Sequence, residues 1–309
     1  MLTSLGYDVT DVAGHDLLRG LTDLNYVKKQ GVNGPIWALI AMDSHDYELP
    51  EDPAAADYTT RDKIIEYLLN VQLPDGGWAL SGEQSDSDLT GMCLQALAPY
   101  YHKRDDVTAA VDRALETLSA MQNADGSYSA FGSGDGLTPT SESISQVLVA
   151  LTALNIDPET DERFIKNGHT VVEALCSYFI EGGGFCHLMG LPVDGMATEQ
   201  AFYALTAWIR MMDGRTALYD MTDVTVRKTT TAVNETPTAA EAPQSTDAPG
   251  AEEEENTDVA LAVSAASTEP EKGISPLLWG VPGVALLGLL TYALHRSFRK
   301  KEKRKERRK

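Results

Sequence analysis

The sequence repeats itself at a fixed interval. Ala96-Leu97, Ala150-Leu151 and Ala204-Leu205 stand 54 residues apart, and Ala41 stands 55 residues before Ala96. A period of this length marks a chain built from supersecondary units that stack on their neighbours, because one such unit cannot bury its own apolar face. The second unit shows the parts. Thr59 is placed as an N-cap with Asp62 three residues on, and Ile64, Ile65, Leu68, Leu69 and Val71 make an apolar helical stripe. Pro74-Asp75-Gly76-Gly77 ends that helix, and Trp78 follows as a ring large enough to fill the space beneath the turn. Asp86 or Asp88 caps the next helix, whose Met92, Cys93, Leu94, Ala96 and Leu97 are apolar on most sides and predict burial. The expectation is an all-α chain of about four hairpins, each an outer amphipathic helix followed by an inner buried one. The first outer helix is expected over residues 14–29 and its inner partner over 36–42; the later hairpins fall at 60–102, 107–155 and 162–212.

The run Gln72-Leu-Pro-Asp75-Gly76-Gly77-Trp78 resembles the QW-type repeat of squalene and oxidosqualene cyclases and of protein prenyltransferase β-subunits. Gln122, Asp125, Gly126 and Tyr128 match it with an aromatic swap; Gly182, Gly183, Gly184 and Phe185 match in glycines and ring only. The resemblance covers residues 1 to about 225. It implies a partial (α/α) toroid, left open or completed by upstream sequence, in which the glutamines and rings clamp neighbouring hairpins. It says little of reaction, because sites are grafted onto folds. The cobalamin carriers intrinsic factor and transcobalamin resemble the same fold and perform no chemistry.

Four segments are expected: the repeat domain over 1–225, a stalk over 226–275, a membrane helix over 276–295 and a tail over 296–309. Leu2 to Asp8 lines up with Leu151 to Asp157, the tail of an inner helix and its exit, so Met1 is expected to lie inside a repeat, with sequence missing upstream. The stalk is rich in Thr, Ala, Pro and Glu, lacks apolar periodicity and predicts disorder. Pro276 to Leu294 carries no charge and as a helix spans roughly 28 Å, close to the hydrocarbon thickness of a bilayer. The tail holds ten bases against two acids, which predicts a cytoplasmic C-terminus and an extracytoplasmic repeat domain on a bacterial-type cell surface. The chain as a whole has a net charge of −21, so the acidic excess lies before the tail and argues against a nucleic-acid partner. The expected partners are the lipid bilayer and a small-molecule ligand.

The chemistry of the resembling enzymes is not written here. Their D-x-D-D acid motif meets Asp86-Ser87-Asp88-Leu89, which breaks at Leu89, and no D-D-x-x-D run occurs. Cys186-His187 lacks the further partners of a zinc site, and the three cysteines make no disulfide framework. No catalytic residue, metal or cofactor is expected. Acids and amides do gather at the starts of the inner helices: Asn33; Asp86 and Asp88; Glu142 and Gln146; Asp194, Glu199 and Gln200. Helix capping and dipole complementation are one reading of this cluster. The other is a polar rim around a pocket lined by Trp37, Phe202 and Tyr203, with Trp37, Asp88, Glu142, Gln146, Glu199 and Tyr203 as ligand-binding residues. Gln72, Gly76, Gly77, Trp78, Gln122, Gly126, Tyr128 and Phe185 are the structural residues of the repeat. Non-catalytic ligand binding, corrinoid capture in its sharpest form, is the leading expectation; a terpene cyclase or prenyltransferase-type enzyme and a structural surface repeat are the alternatives.

Overall fold

The helices begin where the period places their caps. Asp86, Thr140 and Asp194 lie 54 residues apart, and each accepts a backbone N–H in the first turn of a helix: Asp86 from the amides of Asp88 and Leu89, Thr140 from Ser143, Asp194 from Ala197. The computed structural model describes residues 1–130 and 138–227, and it is rich in helix. The long buried helices are α2 (Asn33–Asp43), α4 (Ser87–Leu97), α6 (Ser141–Ala153) and α8 (Gly195–Met212). Between them run α3 (Arg61–Asn70), α5 (Asp105–Met121) and the short α7 (Val171–Cys176).

The buried helices form a row in chain order: α2 packs on α4, α4 on α6 and α6 on α8. The amphipathic helices back this row, α3 on α2, α5 on α4 and α7 on α6, so each packs on the buried helix that precedes it as well as leading into the next. Gly91 shows how tightly the row is built. A Cβ on it would meet the backbone oxygen of Gln146 at 3.0 Å, so any larger residue would push α4 and α6 apart by a few tenths of an ångström. The start of each buried helix is tied to the connection that leads toward the next: Ser87 Oγ at the start of α4 donates to the Ser129 carbonyl, and Ser141 Oγ at the start of α6 donates to the Cys186 carbonyl.

The repeat motif sits at the seams. Gln72 Nε2 donates to Gly76 O (2.7 Å) within its own turn and to Ala110 O (2.9 Å) in α5. Gln122 Nε2 repeats this, donating to Gly126 O and Phe164 O at 3.1 Å each. Each glutamine thus ties a turn to the next outer segment. Gly76 has φ +97°, and Gly77 and Gly184 leave no room for a Cβ against Thr90 and Thr198. Those threonines accept from the N–H of the ring residue that follows the glycines, Thr90 from Trp78 and Thr198 from Phe185, both at 2.9 Å. The rings of Trp78, Tyr128 and Phe185 are all fully buried, and the Trp78 indole N–H donates to Leu68 O at 2.8 Å, so its burial leaves no unmet donor.

Several expectations need correction. Residues 14–29 are no continuous helix: a 3₁₀ turn (Leu17–Leu21), the four-residue α1 (Leu24–Val27) and a second 3₁₀ turn (Lys28–Gln30) replace it, with Asp16 and Asp23 each capping a new start. Thr60, one residue later than expected, caps α3 by accepting from Lys63 N. The fourth outer helix is only α7, flanked by two-residue antiparallel ribbons: β1 (Ile165–Lys166) with β2 (His169–Thr170), and β3 (Phe179–Ile180) with β4 (Gly184–Phe185). Residues 2–8 do share the exit geometry of α6. Tyr7 N donates to Leu2 O after Gly6 at φ +79°, as Ile156 N donates to Leu151 O after Asn155 at φ +57°.

After α8 the chain crosses back as a strap. Met221 N donates to Ser44 O at the end of α2, His45 Nε2 lies 3.0 Å from Val224 O, and Arg227 N donates to Gly6 O. Among the described residues no helix is long and apolar enough to cross a membrane. The expected membrane segment over 276–295, the expected tail over 296–309 and all but residues 226–227 of the expected stalk lie outside the described residues.

Candidate functional site

The predicted residues come from four different helices, and the structure joins two of them, Gln146 and Tyr203, in one hydrogen-bond network. Gln95 in α4 donates from Nε2 to Gln146 Oε1 (3.0 Å) and to the Gln146 carbonyl (3.1 Å) in α6. Gln146 Nε2 in turn donates to Gln200 Oε1 (2.9 Å) and to the Tyr203 hydroxyl (2.5 Å) in α8. The Tyr203 hydroxyl completes the triangle by donating to Gln200 Oε1 at 3.2 Å. Three buried helices are therefore cross-linked by side-chain amides.

The carboxylates lie toward the helix starts. Asp88 is largely buried, hydrogen-bonded by Ser143 and Ser87 and close to Glu142; its pKa is raised, chiefly by burial, with the Glu142 charge adding to it. Glu142 Oε2 accepts from Ser141 Oγ (3.1 Å) and lies 2.9 Å from His187 Nδ1. Asp86, the α4 cap, is pushed up to about 6 by burial first and by the neighbouring Asp88 charge second, against the two backbone N–H groups that hold it down. Burial raises Tyr203 well above the ordinary phenol, and the charges of Glu199 and Asp88 act in the same direction. Glu199 itself is exposed.

On the α2 side, Trp37 packs edge-on against Tyr219 of the strap, with ring centroids 5.7 Å apart and an interplanar angle of 87°. Burial pushes Tyr219 up to about 12, and the Glu199 charge adds to the rise. Trp37 and Tyr219 line a cavity of about 350 Å³ with Leu2, Val9, Leu18 and Tyr47. Trp37 alone of the six predicted residues lines that cavity. Gln146 and Tyr203 meet directly, Asp88 and Glu142 are neighbours, and Glu199 acts on both Tyr203 and Tyr219. Trp37 joins the others only through Tyr219. Phe202 is 38% exposed on α8.

Four participants escaped the sequence reading: Gln95, Ser143, His187 and Tyr219. Gln95 falls three residues after Met92, the repeat equivalent of Gln146, so the period hid it. His187 was weighed only as a metal ligand. Tyr219 stands beyond the last repeat, where periodicity carries no signal. Among the described residues, no group of three or more His, Cys, Asp or Glu is placed to hold a metal ion. All three cysteines are free, Cys93 and Cys186 buried and Cys176 partly so.

No protein-family model matches the chain, and no curated protein matches its sequence.

Proposed function

We propose that the chain is a membrane-anchored protein whose helical domain, a partial α/α-toroid of the prenyltransferase and squalene cyclase type, binds a small molecule without transforming it. The anchor is the apolar segment 276–295, and the helical domain faces away from the cytoplasm. The row of four buried helices backed by amphipathic ones, with glutamine clamps at the seams, supports the toroid reading. The observation that carries the binding reading is the amide–phenol network of Gln95, Gln146, Gln200 and Tyr203. It fixes polar groups on three of the buried helices, and Trp37 on α2 and Phe202 on α8 are 40% and 38% exposed. A few fixed polar groups beside aromatic surface are what a small-molecule site requires.

The experiment is ligand retention. The full chain in mild detergent is incubated with a mixture of corrinoids and polyprenyl diphosphates, and bound species are identified by mass spectrometry. A ligand retained unaltered and stoichiometrically is expected, with affinity falling about ten-fold or more in Trp37→Ala, as for an aromatic anchor that the ligand covers. Retention of nothing by the folded chain would turn the assignment to a structural surface repeat.

One observation favours a second reading. Asp86 and Asp88 both hold protons more tightly than an ordinary carboxyl, the state a cyclising acid needs. Conversion of a polyprenyl diphosphate in the same assay, abolished by Asp88→Asn, would establish an enzyme instead.

A further inference from the structure

A second cavity, of about 470 Å³, opens where α2, α4 and α6 end, under the strap. Its size lies in the range of roughly 300–1,000 Å³ common to small-molecule sites. Ile40, Ala96, Val149, Ala153 and Leu218 give it apolar walls. Its other lining residues include charges of both signs: Asp43, Asp46 and Arg61 from α2 and α3 and the turn between them, Lys103 from the turn after α4, and Asp220 from the strap.

Part of this charge is already matched. Arg61 Nε donates to Asp43 at 2.7 Å, and its two other nitrogens lie 3.5 Å from Asp46 and 3.2 Å from Glu48. The second Asp43 oxygen accepts from the Tyr100 hydroxyl at 2.8 Å. Lys103 and Asp220 are different. Lys103 donates its backbone N–H to the Tyr100 carbonyl, but its ammonium has no hydrogen bond or ion pair among the described residues. Asp220 Oδ1 accepts from the backbone N–H and the hydroxyl of Thr222, and Oδ2 has no partner among the described residues. A cation and an anion thus line one cavity from two different elements, and no ion pair joins them.

Each simpler class of ligand leaves some of this charge opposed or unused. An anion would answer Lys103 but face Asp43, Asp46 and Asp220. It would also meet the ends of α2, α4 and α6, which carry partial negative charge as helix C-termini do. A plain cation would answer the acids but face Lys103 and Arg61. An uncharged apolar molecule would use the walls and gain nothing from the charges. We propose that this cavity binds a zwitterion with an apolar body, of the class of an aliphatic or aromatic α-amino acid. Its ammonium group pairs with Asp220, and its carboxylate with Lys103, whose flexible four-carbon stem lets the charge follow the ligand. Its side chain lies on the apolar walls. Neither Lys103 nor Asp220 belongs to the site of Trp37, Gln146 and Tyr203, so the two readings stand or fall separately.

The test is equilibrium dialysis of the full chain in mild detergent at neutral pH against four probes: phenylalanine, phenethylamine, 3-phenylpropanoate and glycine. Phenylalanine is expected to bind about two- to five-fold tighter than phenethylamine or 3-phenylpropanoate, the worth of one solvent-exposed ion pair. Glycine, with no body to lay on the walls, is expected not to bind. Lys103→Met should remove the advantage of phenylalanine over phenethylamine. Asp220→Asn, which keeps the oxygen that Thr222 uses, should remove its advantage over 3-phenylpropanoate. Ala153→Phe fills the cavity and abolishes binding of every probe, and Ala217→Phe does the same from the strap if Ala153→Phe misfolds. Phenylalanine bound no tighter than either single-charge probe by the natural chain would overturn the proposal, as would no binding of any probe. A phenylalanine preference that survives both charge variants, or binding that survives both filling variants, would overturn it too.

Discussion

Asparagine at position 86 is expected to stabilise the fold, and by an amount that depends on pH. Asp86 caps α4 while 7% exposed, and burial raises its pKa from 3.8 to about 6. A folded-state pKa above the unfolded value means that the native chain still holds the proton between those two pH values, after the unfolded chain has lost it. Stability therefore falls as pH rises through that window, and the cost is fully present above about pH 6. A shift of about two units corresponds to ~3 kcal/mol. Asparagine caps a helix about as well as aspartate but gives up the attraction of a charge to the helix dipole, worth about 0.3–1 kcal/mol. The net expectation is that Asp86→Asn is more stable by ~2 kcal/mol at pH 8 and within ~0.5 kcal/mol of the natural chain below pH 4. Urea unfolding of both proteins across pH, followed by tryptophan fluorescence, measures the difference; Trp78, whose carbonyl accepts from Asp86 N, is a nearby reporter. Taking the difference cancels the carboxylates that shift the other way, such as Asp106 and Asp161. A pH-independent difference, or an aspartate more stable at pH 8, would refute the reasoning.

Three further outcomes are expected. Gln72→Met strands the Gly76 and Ala110 carbonyls and should lower unfolding free energy by about 1–3 kcal/mol, with recovery of the natural value by no other residue than one carrying an amide. Gly91→Ala gains about 1 kcal/mol of helix propensity but presses a Cβ within 3.0 Å of Gln146 O, and overpacking of about 1–3 kcal/mol makes the net effect destabilising; a raised denaturation midpoint would contradict this. Burial pushes the Cys176 thiol up to about 12 and holds Cys93 well above the usual range, so a disulfide reagent at pH 8 should react slowly with the native chain and rapidly with three thiols after urea is added.

Much of the helix framework was legible because it depends on local chemistry that repeats. The caps at Asp86, Thr140 and Asp194 and the rings at Trp78, Tyr128 and Phe185 are each specified by a few neighbouring residues. Where one residue type serves two conformations, legibility failed. Thr59 and Thr60 are chemically alike, and the cap went to the one whose side chain reaches Lys63 N; Thr59 Oγ1 is buried without a partner among the described residues. Residues 14–29 have helical periodicity, yet Asp16 and Asp23 favour new starts over continuation. The two-residue ribbons around α7 are too short for any alternation to mark them. The candidate site was half visible for a different reason. Gln146 and Tyr203 share a face with their own helices' polar positions, whereas Gln95 and Tyr219 meet them only through packing between elements far apart in the chain.

The strap has a consequence for how the domain assembles. Contacts within the row join neighbours about one period apart, so helices can add to it one after another at low loop-closure cost. The hydrogen bond from Met221 to Ser44 spans most of the described chain, and that from Arg227 to Gly6 spans nearly all of it. Each doubling of such a loop adds only about 0.6 kcal/mol, but none of it is repaid until the row is in place. Docking of residues 213–227 is then expected to be the last step of folding and the first to reverse, tying a row that could fray from either end into one cooperative unit.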